Sequence, residues 1–207
     1  PMEAAWRDAR IGRIYEGTNE INRMVSVGML LKKAAKGHLD LMSPVMKIVE
    51  KIKLNQFDKI TNNSKFVQEE FLVQKIKDIF LLLTGMAFQK YGADLEKNQI
   101  TLLALSDILI YSYFCESTLL RTKKNHDRNN ENYSETHIQM TQLFIYSSLE
   151  KVKEKAKEIV LSIANEKEKI GLINSIEKMT RYNEYPNIVE LKTSIADAII
   201  KENEYNL

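Results

Sequence analysis

Between Lys65 and Tyr91 the chain keeps Leu72, Ile76, Ile79, Leu83 and Ala87 three or four residues apart, and Gly92 follows. That spacing predicts a helix with a buried stripe, ended by a residue free to adopt a left-handed conformation. From Ile79 to Leu83 the sequence is apolar nearly all round, so several neighbours must cover the middle of this helix. Two further runs have the same habit. Residues 94–122 predict a second long helix, very apolar over 100–114 but interrupted by Ser106, Asp107 and Ser112, and too short there to cross a bilayer. Residues 134–164, capped by Ser134, predict a third, with Ile138, Leu143, Phe144, Leu149, Val152, Ala156, Ile159 and Val160 inward and Glu150–Lys153 and Glu154–Lys157 as solvated pairs.

Shorter helices complete the pattern. Ser43–Pro44 reads as an N-cap followed by proline in the first turn, with Val45, Ile48, Val49 and Ile52 on one face. Helices are also predicted over 167–181 and, after Pro186, over 187–202, the latter turning Ile188, Leu191, Ile195 and Ile199 inward. Lys123 to Tyr133 has no apolar period and reads as a polar, mobile loop. No stretch alternates with period two, and only seven glycines and three prolines punctuate 207 residues. The expectation is an all-α, up-and-down bundle of long antiparallel helices.

Charge and cysteine usage narrow the function. A net charge of +2 gives no electrostatic case for nucleic acid. The single cysteine, Cys115, sits in an apolar run, so it reads as core packing, excludes an intrachain disulfide and suggests a reducing, cytoplasmic setting. His38, His126 and His137 lack ligand-like spacing, which argues against a metal site. Asp107, inside its apolar helix, needs a hydroxyl or amine partner from a neighbouring helix, since an unpaired buried carboxylate is costly; a second catalytic acid is the less ordinary reading. Arg121, Lys123, Lys124 and Arg128 form a basic group that Asp127 and Glu131 dilute, leaving membrane association as a secondary reading against a solvated surface.

The opening of the chain is different in kind. Met2, Ala5, Trp6, Ala9 and Ile11 recur at roughly helical spacing; the pattern breaks at Glu16-Gly17-Thr18 and resumes from Ile21 through Leu31. Thr18 is placed to cap the second helix, and Gly37 to end it. Glu16 therefore stands at a helix N-terminus, where a solvated acid interacts favourably with the helix dipole. Gly17 reads locally as a turn glycine. Thr18, Asn19 and Glu20 read as ordinary capping residues, and Arg23 as either a surface charge or a contact to a bound group.

The run Arg7-Asp8-Ala9-Arg10-Ile11-Gly12-Arg13-Ile14-Tyr15-Glu16-Gly17-Thr18-Asn19-Glu20-Ile21-Asn22-Arg23 resembles the C-terminal region of the acyl-CoA dehydrogenases. The resemblance is dense from Trp6 to Arg23 and looser to Lys36. It implies that Glu16 is the catalytic base, taking the alpha proton of an acyl-CoA thioester while hydride leaves the beta carbon for FAD. It implies further that the backbone N–H of Glu16 helps hold the thioester oxygen, that Gly17 lets substrate approach closely, and that Thr18, Asn19 and Glu20 face the cofactor. Residues 1–36 would then be the end of the catalytic C-terminal domain and 37–207 a helical extension similar to that of the very-long-chain type. An enzyme of fatty acid beta-oxidation is implied, a homodimer with electron-transfer flavoprotein as acceptor, of which this chain would be an inactive C-terminal fragment. The other reading is a stand-alone helical module for oligomerisation, partner binding or membrane association.

Overall fold

The computed structural model describes residues 2–57, 60, 65–129 and 135–202, and the described residues form helices without a strand. In chain order they are α1 (Met2–Ile11), α2 (Asn19–Ala35), α3 (Met42–Lys53), α4 (Val67–Tyr91), α5 (Gln99–Asn129), α6 (Glu135–Ile163), α7 (Glu166–Met179) and α8 (Ile188–Glu202). A short 3₁₀ segment, Gly92–Lys97, joins α4 to α5.

Side-chain contacts fix the directions. Between α4 and α5, Lys123 pairs with Glu70 and Lys77 with Glu116, so numbering rises on one helix as it falls on the other. Between α5 and α6, Thr122 meets Thr141 at 2.7 Å and Ser148 hydrogen-bonds Cys115, again antiparallel. Glu69 with Gln142, and Lys90 Nζ with the Ser162 carbonyl at 2.8 Å, make α4 and α6 parallel. The three long helices are thus up, down and up. The fourth side is divided: Glu177 reaches Lys153, Tyr182 stacks near Tyr146 and Ser194 donates to Gln139, so α7 and α8 run back along α6 in succession.

The core lies where α4, α5 and α6 meet. Leu72, Ile76, Ile79, Leu83 and Ala87 are buried as their spacing predicts, and Phe80 and Leu82 join them, which is the all-round burial expected at mid-helix. Each fully buried Leu or Ile contributes roughly 1.5–3 kcal/mol through apolar surface withdrawn from water. On α6 the inward set includes Ile145, Thr141 and Ser148, while Phe144 is exposed and Leu143 half-buried. A phase set by Ile138, Ile145, Leu149 and Val152 leaves no room inward for those two. Of the expected α8 stripe, Ile195 is buried and Ile188, Leu191 and Ile199 are half-buried.

Three boundaries differ from expectation for identifiable reasons. The 3₁₀ segment after Gly92, whose φ is +54°, delays the start of α5 to Gln99. At its other end α5 continues through Asn129, because Lys123 pairs with Glu70, Thr122 with Thr141 and the His126 ring packs edge-on against Phe66. The predicted loop over 123–129 is helix, and its remainder, like the Ser134 cap, lies outside the described residues. At α3 the capping oxygen is that of Asp40, which accepts the Ser43 N–H at 3.0 Å; hydrogen bonds from the Ser43 hydroxyl first and its N–H second hold the Asp40 carboxyl below its ordinary range. Glu154 pairs with Lys151, not with Lys157.

Candidate functional site at the start of α2

α2 begins as its sequence dictates. Thr18 has extended ψ, and its Oγ1 accepts the Ile21 N–H at 3.3 Å, satisfying one of the free donors of the first turn. At the far end Gly37, with φ +73°, lets the N–H groups of Gly37 and His38 turn back to Ala34 and Lys33. The inner face packs Val27, Met24, Leu30 and Leu31 against the core.

The connection from α1 is a tight reversal. Asn19 N–H donates to the Arg13 carbonyl at 3.2 Å and closes it, while Asn22 Nδ2 donates to the Gly17 carbonyl at 2.8 Å. Two consecutive residues are left-handed: Glu16 at φ +57° and Gly17 at φ +93°. Gly17 is favoured there by its φ of +93°, which L side chains rarely adopt; a Cβ would in addition stand 2.8 Å from Asn22 Oδ1, so the Asn22 amide would have to shift. Glu16 is the surprising one. A non-glycine side chain in that region costs on the order of 1–2 kcal/mol, and such strain concentrates where a side chain must be aimed.

Glu16, Gly17, Asn19 and Glu20 are exposed and Thr18 is half-buried, so all five are brought together on one open surface. Among the described residues no protein acceptor takes the backbone N–H of Glu16, Gly17, Thr18 or Glu20. A carboxylate therefore stands beside unengaged N–H donors at the positive end of a helix, an arrangement suited to proton abstraction next to a developing oxyanion.

Apolar side chains before and after the reversal are uncovered. Trp6, Ile14 and Tyr15 are each more than half exposed, and Ile21, Val25 and Met29 carry the same apolar strip along the outer side of α2. α2 is thus greasy on two sides, one filled by the bundle and one open.

Arg23 is tied into the bundle. Its guanidinium pairs with Asp107 of α5, and its carbonyl accepts the hydroxyls of Ser106 and Ser26. This supplies the cationic partner that Asp107 needed, and it clamps α2 to the bundle two turns or less from Glu16. Sequence reasoning identified the need on Asp107 without its partner, because the two residues are 84 positions apart. Of the basic group on α5, Lys123 is committed to Glu70.

The fold and the site define a helical domain that presents an exposed carboxylate and free N–H groups at the N-terminus of α2. Residues 75–178 match the family described as acyl-CoA dehydrogenase, C-terminal domain. The chain belongs to the acyl-CoA dehydrogenase family. It is 30% identical over 206 residues to a probable acyl-CoA dehydrogenase of Bacillus subtilis (strain 168), covering all of this chain and 34% of that relative. It also superimposes, at a TM-score of 0.93 and 32% identity, on the crystal structure of acyl-CoA dehydrogenase complexed with FAD from Bacillus anthracis, covering 99% of this chain and 35% of that one. The chain therefore spans about a third of the length of the relatives it matches. The family match falls on α4 to α7, a region that carries no short motif and was legible only as helical periodicity.

Proposed function

We propose that this chain is part of an FAD-dependent acyl-CoA dehydrogenase that converts a fatty acyl-CoA to its trans-2-enoyl-CoA, with Glu16 as the base. The observation that carries this is Glu16 itself, held left-handed and exposed beside free N–H groups on an open apolar face. Residues 1–36 carry the reacting group, and the bundle over 37–207 holds them in place through α2. FAD, when bound, supplies the hydride acceptor for the beta carbon.

The remaining chemistry belongs to the chain. The Glu16 carboxylate takes the alpha proton; in water it is too weak a base, and an acyl chain lying along Trp6, Ile14 and Tyr15 removes that water and raises its basicity. The Glu16 N–H points a donor at the thioester oxygen as negative charge gathers there. Gly17 keeps the approach clear of a side chain. Thr18, Asn19 and Glu20, with the dipole of α2 behind them, present polar groups to the cofactor. The fit is chemical: beside the Thr18 cap, the N-terminus of α2 keeps unengaged N–H groups for a polar or anionic ligand. Electron-transfer flavoprotein as acceptor and a homodimeric assembly belong to the same reading.

Replacing Glu16 by Gln in the full-length protein tests it. Turnover of acyl-CoA is expected to fall by about 10²–10⁴, the usual share of a positioned general base, with FAD retained. Near-normal turnover would remove Glu16 from the reaction.

A further inference from the structure

A second cavity lies on the opposite flank of the bundle, between the start of α4, α6 and the connection from α7 to α8, with a volume of about 400 Å³. Gln68 builds one wall of it: its side-chain amide exchanges two hydrogen bonds with the backbone of Glu184, at 3.2 and 3.3 Å, and so fixes that connection against α4. Among the described residues three glutamates line the cavity, Glu69, Glu184 and Glu190, and neither Lys nor Arg does.

Two of its groups are buried, Glu69 without an ion pair and Tyr182 with a hydroxyl that has no partner. Glu69 is 6% exposed, hydrogen-bonded by Gln142 and its own backbone N–H, and among the described residues it forms no ion pair with any Lys or Arg. The basic side chains nearby answer to other acids, Lys123 to Glu70, Lys65 to Glu135 and Lys75 to Asp78. A buried carboxylate that lacks a cation is costly, and its burial pushes the carboxyl above its ordinary range. Tyr182 is 5% exposed and its hydroxyl has no hydrogen-bond partner, although it lies within electrostatic reach of Glu69. Its ring and that of Tyr185, 5.3 Å apart, form a tilted aromatic wall. The far side of that wall faces a separate depression with Lys178 and Arg181.

We propose that this cavity binds a small organic ammonium ion, its charge against the Glu69 carboxylate and its alkyl part against Tyr182 and Tyr185. The ammonium supplies the countercharge that the described lining omits. Tyrosine rings attract an alkylammonium through their faces and favour it over a bare metal ion. The Tyr182 hydroxyl, within electrostatic reach of the same carboxylate, gains a hydrogen-bond partner when the ligand is seated.

Calorimetric titration of the full-length protein with n-butylammonium chloride, in amine-free phosphate buffer, tests this. The expected result is saturable one-to-one binding, none for sodium butyrate, a loss of at least about tenfold in affinity for Glu69→Gln and about fivefold for Tyr182→Phe. Tyr182→Phe removes a hydroxyl that holds nothing in the free protein, so its circular dichroism and melting temperature should match the parent. Failure of the parent protein to bind the amine by about 50 mM, or undiminished binding by a folded Glu69→Gln protein, would overturn the proposal. Glu16 and the acyl-CoA reading are untouched by either result.

Discussion

Single residues in this chain are placed against their own preferences where the site is built. Glu16 adopts φ +57° and Gly17 φ +93°, and a side chain at the second would also push the Asn22 amide aside. Gly17→Ala should therefore loosen the reversal locally. The amides of Asn19 and Asn22, bonded to the Arg13 and Thr18 carbonyls, are expected to exchange about tenfold faster with solvent, the equivalent of the left-handed penalty. Unchanged exchange would mean that the turn does not depend on Gly17. At Glu69 the argument runs through pH. Its folded carboxyl titrates above the ordinary 4.5 because burial disfavours the charge, so the fold prefers the protonated form. The stability tied to that proton is fully present below pH 4.5 and lost as pH rises through the raised value. Glu69→Gln is accordingly expected to be more stable than the parent to urea at pH 7, with the difference vanishing near pH 4; a constant difference across that range would show that Glu69 titrates normally.

Elements were legible where burial is periodic and illegible where a distant partner decides. The stripe Leu72, Ile76, Ile79, Leu83 and Ala87 specified α4 and its burial without help, because a helix that must be covered all round has one solution. Residues 123–129 could not be read, since their helix rests on Glu70, Thr141 and Phe66, which the local sequence does not contain. Thr18 was legible as a cap because the cap bond is local, whereas the left-handed twist at Glu16 leaves no composition signal beyond the glycine after it. Gly85 on α4 shows the same limit. Read alone it is a weak point in a helix, and alanine should stabilise it by about 1 kcal/mol. In the fold a Cβ there would stand 2.6 Å from Val45 Cγ1 on α3. Gly85→Ala is therefore expected to destabilise the protein by about 1–3 kcal/mol in urea denaturation, and Val45→Ala in the same chain should recover part of it, a coupling that a double-mutant cycle reads directly. Stabilisation by Gly85→Ala alone would mean that α3 does not pack there.

At the scale of the molecule, a bundle fixes a strained motif and leaves one side of it open. Arg23 with Asp107, and the Ser106 hydroxyl on the Arg23 carbonyl, join α2 to α5, while the apolar strip from Trp6 to Met29 has nothing against it among the described residues. The chain covers about a third of the length of its relatives, and under the proposed function this face is the one that meets substrate. The claim on which the account turns is that Glu16 removes a proton from carbon, and exchange of the alpha hydrogens of a bound acyl-CoA in D₂O reads that step without requiring turnover. Full-length protein should exchange them, and Glu16→Gln, with its flavin still bound, should not. Exchange at an undiminished rate in the Gln variant would contradict the account.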